Sequence, residues 1–279
     1  FQSQLILLIL LMGRFFHLRV LLKWLRVRPA QLILLAFLFL IFIGSLLFSL
    51  PISTPFFAPQ LTFVDALFTS FSAVCVTGLS VNIVGQDLSF FGQCVLLILI
   101  QVGGLGIMSF SVLVTLFTKK KISQAASIEL QESYSTFSLN ETFSAIRFIF
   151  KFTLLFEALG AIFLFFLWKD LNLDFSKRLF YAVFHSVSAF CNAGFSLFDN
   201  SLTQFATDAS TSLTIAMLII VGGLGFPVLY NLYLFNRRIG ASQHLKLSTK
   251  LALTVTVGLI LFGTFSIFFN EFNGALAGF

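Results

Sequence analysis

Long apolar runs separated by short polar stretches make up most of this sequence. A helix needs about 20 apolar residues to cross the hydrocarbon layer of a bilayer, which is roughly 30 Å thick. Five runs are long enough, and they predict transmembrane helices at Leu32–Leu50, Leu88–Phe117, Phe148–Trp168, Ser212–Phe235 and Leu251–Phe269. The pattern therefore indicates an all-α integral membrane protein.

Two further apolar runs, Thr62–Cys75 and Leu179–Cys191, are too short to cross a bilayer. A helix of about 14 residues is only about 20 Å long at 1.5 Å per residue. Each run is followed by a polar stretch that contains glycine and then by a full-length apolar run. This order is typical of a re-entrant helix and loop. We expect both short helices to enter the membrane and their loops to return to the same side.

Composition and charge agree with a membrane protein. The 279-residue chain is 58% hydrophobic and 10% charged and contains 40 Phe, with a mean hydropathy of +1.01. A soluble domain of this length could not bury so much apolar surface. The net charge of +6 could suggest a nucleic-acid partner, but the basic residues form short clusters between apolar runs. We therefore expect a lipid bilayer around the chain and no nucleic acid.

The positions of the basic residues predict the topology. Fourteen of the seventeen Lys and Arg flank one side of the predicted spans, including Lys119–Lys121 and Arg237–Arg238. Basic residues prefer the cytoplasmic side, so we expect the N-terminus in the cytoplasm and the protein in the inner (plasma) membrane. Seven acidic residues on the opposite side would attract cations, unless their position is accidental. They are Asp65, Asp87, Asp170, Asp174, Asp199, Asp208 and Glu271.

The sequence contains an internal repeat. Ser70–Ser80 (SFSAVCVTGLS) aligns without a gap with Ser186–Ser196 (SVSAFCNAGFS), and six of the eleven positions are identical. The motif VGGLG recurs at Val102–Gly106 and Val221–Gly225. The repeating unit is thus an outer helix, a short pore helix, a loop and an inner helix. Both copies start and end on the cytoplasmic side, which argues against an inverted-repeat transporter.

A third outer helix begins at Lys250, and Gly263 takes the place that Gly44 has in the first. The equivalent pore glycine is expected 34 residues later, beyond Phe279. The predicted organisation is an N-terminal cytoplasmic or interfacial segment at 1–29, a first pore repeat at 30–118, a cytoplasmic linker at 119–147, a second pore repeat at 148–236, a second linker at 237–250 and the outer helix of an incomplete third repeat at 251–279.

The two matched loops suggest a binding site for a cation. A short helix that enters from outside points the negative end of its dipole at the membrane centre. Carbonyl groups of the following loop can replace the hydration shell of an ion. Gly78 and Gly194 suit such a loop, because a backbone with its carbonyls on one side needs φ values that other residues reach only at a cost. The alternative is that these glycines only form turns of a buried hairpin.

The paired motifs resemble a known family. AVCVTGLS followed by VGGLGI, and AFCNAGFS followed by VGGLGFPVLY, are similar to the membrane subunit of the Trk/Ktr/HKT superfamily of cation transporters, of the bacterial KtrB type. The resemblance extends from about Arg28 to Phe269. It implies a potassium-channel-like protein with four such repeats around one permeation path. Gly at the filter position of every loop goes with K⁺ in this family, and Ser in the first loop goes with Na⁺.

The resemblance also implies roles for residues and partners. The first quarter of a selectivity filter would be Val76, Thr77, Gly78 and Leu79, and the second would be Asn192, Ala193, Gly194 and Phe195. Their backbone carbonyls would bind K⁺, which moves passively, and no other cofactor is expected. A homodimer on a cytosolic nucleotide-binding regulatory ring of the KtrA or TrkA type is implied as well. The other two quarters and the family's gating loop lie outside this sequence.

A second hypothesis is a truncated or regulatory membrane subunit that does not conduct by itself. An enzyme is not expected, because common catalytic motifs are absent from the sequence. Glu157, the only acid well inside an apolar span, is either a functional residue or one bonded to an adjacent helix. His185 is expected to be a hydrogen-bonded structural residue. The VGGLG segments can be hinges or contact faces for close helix packing.

Overall fold

The computed structural model describes residues 29–56, 60–106, 139–237 and 245–271. These residues form helices and no strand, as the apolar runs predict. The predicted segments 1–29, 119–147, 237–250 and 251–279 lie partly or almost wholly outside the described residues. The α-helices are α1 (Pro29–Phe48), α2 (Phe63–Val74), α3 (Val84–Asp87), α4 (Phe90–Gly104), α5 (Leu139–Leu167), α6 (Phe175–Phe190), α7 (Ala209–Gly223), α8 (Phe226–Arg237) and α9 (Leu247–Glu271), and single 3-10 turns lie at Pro51–Ser53, Trp168–Asp170 and Thr203–Phe205.

Polar capping residues fix where four helices begin: α2 and α6, which correspond to the predicted pore helices, and α4 and α7, which correspond to the predicted inner helices that follow the outer helices α1 and α5. The side chains of Thr62 and Asp174 accept hydrogen bonds from backbone N–H groups in the first turns of α2 and α6, at 3.2 Å and 3.3 Å. Ser89 and Asp208 do the same for α4 and α7, at 3.2 Å and 3.0 Å. Each cap satisfies a donor that the helix itself leaves free. The short helices predicted between the long apolar runs are thus present, with well-defined starts.

The same hydrogen bond joins the outer helix to the pore helix in both halves. The Ser70 hydroxyl on α2 donates to the carbonyl of Ile41 on α1, at 2.7 Å. The Ser186 hydroxyl on α6 donates to the carbonyl of Glu157 on α5, also at 2.7 Å. Both pairs differ by the 116 residues that separate the two loop motifs. The equivalence read from the sequence therefore extends to a specific contact between helices.

Two glycines allow the outer helices to approach closely. A Cβ on Gly44 would overlap Ser70 and lie 2.7 Å from a methyl group of Leu99 on α4. A Cβ on Gly160 would overlap Ser186 and lie 2.7 Å from a methyl group of Leu218 on α7. Small residues at such crossings let helix backbones pack together in a membrane. At this glycine, each outer helix thus approaches both its pore helix and its inner helix.

The predicted span Ser212–Phe235 is wrong as a continuous helix. The structure has two helices there, α7 and α8, and they are bent by 93°. The break falls at Gly225, whose φ of +81° is incompatible with an α-helix. Among the described residues, only Arg147–Asp170 and Leu247–Asn270 are helices long and apolar enough to cross a membrane, and α7 with α8 could be a third, bent span.

The first predicted inner span, Leu88–Phe117, is helical from Phe90 to Gly104, and residues 107–117 lie outside the described part. This helix, α4, also packs on α6, the second pore helix. Leu96 and Ile100 of α4 and Phe184 of α6 are fully buried in the shared core. The core therefore joins the two repeats instead of leaving them as separate units.

The outer surface of the bundle is strongly apolar. From Leu251 to Phe269 no side chain of α9 is buried by the described residues, and Phe262 and Phe269 are 72% and 74% exposed. Exposed apolar surface of this extent marks contact with lipid or with another protein. The helices and their surface identify a multi-pass membrane protein.

Candidate functional site

Both pore helices end in loops with matching backbone hydrogen bonds. The N–H of Thr77 donates to the carbonyl of Ser72, at 2.9 Å, and the N–H of Ala193 donates to the carbonyl of Ser188, at 2.7 Å. One residue earlier, Val76 and Asn192 donate to the carbonyls of Ala73 and Ala189, at 3.2 Å and 3.0 Å. The backbone therefore turns sharply at equivalent positions after α2 and after α6.

The two loops also share an unusual backbone conformation. Val76 and Gly78 have φ values of +55° and +73°, and Asn192 and Gly194 have values of +60° and +74°. The residues between them, Thr77 and Ala193, are not in the left-handed region. Left-handed backbone is a strained state for a β-branched residue such as Val76. Strain of this kind persists only where the surrounding structure enforces it, and it marks both loops as candidate functional sites.

The loops lie directly against each other. A Cβ on Gly78 would overlap the carbonyl oxygen of Ala193 and lie 3.1 Å from the Cα of Gly194. In the other direction, a Cβ on Gly194 would lie 3.5 Å from the Cα of Gly78. The structure thus brings the two predicted quarters of the site together, with the two glycines at their contact.

The eight predicted site residues differ in exposure between the loops. In the first loop, Thr77 and Leu79 are exposed, and Val76 and Gly78 are half-buried. In the second loop, exposure alternates: Asn192 and Gly194 are exposed, and Ala193 and Phe195 are buried. The second loop is therefore the more firmly embedded of the two.

A serine or threonine hydroxyl braces each loop from its pore helix. The Thr77 hydroxyl forms a hydrogen bond with the Ser72 hydroxyl, at 2.9 Å. The Ser188 hydroxyl donates to the carbonyl of Phe195, at 2.7 Å. Ser72 and Ser188 are equivalent positions in the repeat, but they hold different parts of their loops. Both serines therefore form a hydrogen bond with the loop that follows their helix, but each bonds a different position of its loop.

His185 supports the end of the second loop, at Ser196 and Leu197, and its hydrogen-bond partners determine its tautomer. The backbone N–H of Leu197 donates to Nε2, at 3.3 Å, so Nε2 carries no proton. Nδ1 then carries the proton and donates to the carbonyl of Tyr181, at 2.8 Å. The Ser196 hydroxyl donates to Nε2 at 2.9 Å, and the ring packs edge-on against Trp168. The expected structural role of this histidine fits these contacts.

No group of three or more His, Cys, Asp or Glu in the described part of the chain could hold a metal ion. A cavity of about 300 Å³ lies between the second loop and α7. Its lining includes Ser188 and Ser196 on one side and the apolar residues Ile215 and Ile219 of α7 on the other. The space beside the second loop is therefore not filled by the described residues.

The VGGLG segments provide contact faces, which is one of the two roles that the sequence left open. A Cβ on Gly103 would overlap the carbonyl oxygen of Val74, and a Cβ on Gly222 would overlap that of Phe190. These glycines form contact faces for the ends of the pore helices. The last glycine of each motif, Gly106 or Gly225, instead has a positive φ and lies where the straight helix ends.

Two features of the site were not predicted from the sequence. The positive φ of Val76 has no signal in its residue type, whereas Asn192 belongs to a type enriched in this conformation. Gln101, a polar residue within an apolar run, contacts Glu157 on the neighbouring helix. Its polarity at that position was a signal that could have identified the pair.

Comparison with known proteins gives the same assignment as the motifs. Residues 45–272 match the TrkH family, described as cation transport protein. The chain is 37% identical to Ktr system potassium uptake protein B of Bacillus subtilis (strain 168), over 90% of this chain and 55% of that protein. It is 35% identical to potassium/sodium uptake protein NtpJ of Enterococcus hirae, over 89% of this chain and 54% of that protein.

A third relative is Ktr system potassium uptake protein B of Vibrio alginolyticus, which is 36% identical over 84% of this chain and 50% of that protein. The chain thus spans about half the length of the curated relatives that it matches. This family is one of cation transporters and not a class of enzymes. Both the motifs and these matches show that the chain belongs to the TrkH family of cation transport proteins.

Proposed function

We propose that this protein transports K⁺ passively across the membrane along a path lined by backbone carbonyls of its pore loops. The observation that carries the proposal is the matched left-handed backbone at Val76 and Gly78 and at Asn192 and Gly194. When left-handed and right-handed residues alternate along the backbone, successive carbonyl groups can point to one side of the chain. In a regular strand, successive carbonyl groups point to opposite sides. Relatives named as potassium or potassium/sodium uptake proteins support K⁺ as the ion.

In this proposal, Val76, Thr77, Gly78 and Leu79 form one part of a selectivity filter, and Asn192, Ala193, Gly194 and Phe195 form another. Their carbonyls replace the water around K⁺, so that the ion enters at low cost. The C-terminal ends of α2 and α6 add the negative ends of two helix dipoles near the path. K⁺ moves down its electrochemical gradient, and no other cofactor takes part.

Two loops do not surround an ion. Because the relatives are about twice as long as this chain, we propose that the protein expressed from the complete gene carries further loops that close the ring. The proposal also includes a homodimer, a cytosolic nucleotide-binding regulatory subunit, and an inner-membrane location with a cytoplasmic N-terminus. The basic residues on the predicted cytoplasmic side support this orientation.

The test is ion uptake by the protein expressed from its complete gene in cells that lack their own K⁺ uptake. Growth on low K⁺ and uptake of Rb⁺ in excess of Na⁺ are the expected results. A protein that reaches the membrane but gives neither growth nor uptake would favour the second hypothesis, a regulatory subunit that does not conduct. Purified protein in liposomes separates its own flux from that of a cellular partner.

A further inference from the structure

A buried polar cluster joins the two repeats behind the second pore loop. Glu157, in the middle of α5, is only 6% exposed. Its carboxyl group forms hydrogen-bonding contacts with the side chain of Gln101 on α4 and with the thiol of Cys191, whose Sγ lies 3.9 Å from Oε1. Cys191 is the C-cap of α6, the second pore helix. One carboxyl group therefore connects an outer helix, a pore helix and the inner helix of the other repeat.

The first repeat provides a natural comparison for this cluster. The offset of the loop motifs gives Glu157 the position that Ile41 has in the first repeat, and the offset of the VGGLG motifs gives Gln101 the position of Ile220 in the second. Ile41 is 5% exposed, so an apolar side chain fills the same buried place. Packing alone thus does not require a carboxyl group at position 157. A buried polar group inside a membrane is costly, and an ionisable one there marks a candidate functional site.

The cluster lies next to the second loop. Cys191 directly precedes Asn192, the first left-handed residue of that loop. Gly104, one turn after Gln101 on α4, allows a second contact, because a Cβ there would overlap the Cys191 sulfur. A steric contact and a polar contact therefore fix α4 against the start of the loop. By contrast, the equivalent Cys75 of the first repeat is exposed in the described structure.

We propose that Glu157 is a positioning residue that fixes the second pore loop against the first inner helix by bridging Gln101 and Cys191. The consequence is that this side chain, which lies outside both loops, sets the geometry of the second loop and with it the preference for K⁺ over Na⁺. The inference rests on the proposed transport function. It assigns a specificity-determining role to a residue outside the loops.

The test measures the ratio of Na⁺ to Rb⁺ uptake for variants of the protein expressed from its complete gene. Glu157→Ile, which copies Ile41, removes the carboxyl partner of the half-buried Gln101 side chain, and we expect the ratio to rise about tenfold. Glu157→Gln keeps a side chain that can bond Gln101, and it should stay within about twofold of the wild type. Ile41→Val is the matched control in the first repeat and should leave the ratio unchanged.

A second pair of variants tests the bridge itself and covers the case in which Glu157→Ile does not reach the membrane. Gln101→Ile, which copies Ile220, should raise the ratio as Glu157→Ile does. The double variant replaces both partners by apolar groups, and its ratio should rise less than the product of the two single effects. Independent, multiplicative effects would overturn the bridge.

Two further outcomes would overturn the proposal. An unchanged ratio in both Glu157→Ile and Gln101→Ile would show that the cluster does not position the loop. A Glu157→Gln variant as altered as Glu157→Ile would assign the effect to negative charge instead of to position. The wild type separates this inference from the proposed function, because absent Rb⁺ uptake by the wild-type protein contradicts transport itself.

Discussion

Gly78 lies directly against the carbonyl oxygen of Ala193, in the space that a Cβ would occupy. This contact joins two loops that are 115 residues apart in the sequence, and both loops have left-handed residues at equivalent positions. The shape of each loop therefore depends on the other. Changes at the contact are the most direct tests of the site.

Replacing Gly78 by Ser should lower the preference for K⁺ over Na⁺ by about tenfold or more, because left-handed backbone costs an L-residue roughly 1–2 kcal/mol and the new Cβ also overlaps Ala193. The measurement is Rb⁺ and Na⁺ uptake at equal expression. Gly258→Ser on α9, where a Cβ meets nothing within 4 Å, is the control. Equal ratios in the two variants would contradict the role of Gly78.

Gly194→Ala should be milder than Gly78→Ala. Both positions have nearly the same positive φ, so both variants carry the backbone cost. Only at Gly78 does the added Cβ also overlap backbone, whereas at Gly194 its nearest neighbour is at 3.5 Å. Ion uptake and melting temperature should therefore fall further for Gly78→Ala. The reverse order would show that the loops do not contact each other as described.

His185→Ala should destabilise the protein, because the N–H of Leu197 and the hydroxyl of Ser196 lose their acceptor. Each unsatisfied buried donor costs roughly 1–3 kcal/mol, which lowers the melting temperature in detergent by about 5 °C or more.

The control for this variant comes from the first repeat. Thr69 has the position equivalent to His185, and its buried hydroxyl has no partner among the described residues. Thr69→Val should be neutral or slightly stabilising. A loss of stability for Thr69→Val as large as that for His185→Ala would contradict the assigned hydrogen bonds.

The cap of α7 should depend on pH. The hydroxyl of Thr211 donates to the Asp208 carboxylate at 2.6 Å, and this hydrogen bond lowers the pKa of Asp208 below its usual value. A depressed pKa in the folded state stabilises the fold above the unfolded pKa, and this contribution is lost as the pH falls below about 4. Asp208→Asn keeps a capping oxygen but does not titrate. The difference in melting temperature between wild type and Asp208→Asn should shrink from pH 6 to pH 3, and a constant difference would refute the cap.

The predicted topology can be tested with thiol labelling after the native cysteines are replaced. A cysteine introduced at Asp199 should react with a membrane-impermeant reagent added outside the cell, because acidic residues predominate on that side. A cysteine at Lys120 should react only after the membrane is opened. The opposite pattern would reverse the proposed orientation.

The sequence was most informative where a signal is local. Apolar runs predicted the helices, although α6 begins at Phe175, four residues before the predicted run Leu179–Cys191. The repeated glycines predicted the two loops, and the motifs predicted the family. Each of these signals depends on a short stretch of chain, so the pattern alone was sufficient.

Features that depend on contacts through space were missed. The run Ser212–Phe235 is mostly apolar and predicted one continuous span, and the VGGLG motif within it left a hinge and a contact face as alternatives, so the break at Gly225 was not predicted. The positive φ of Val76 is imposed by surrounding packing, against the preference of the residue itself. The sequence marks Glu157 as unusual, but its partner Gln101 lies on another helix, and only the packing of the two helices brings these side chains together.

The left-handed backbone of the two loops has a consequence for chirality. A positive φ is the natural conformation of D-amino acids, which ribosomes do not incorporate. Glycine, which is achiral, therefore takes the place of a D-residue at positions 78 and 194. The protein needs two mirror-image bends at the contact between its loops, and glycine is the only encoded residue that supplies them without strain.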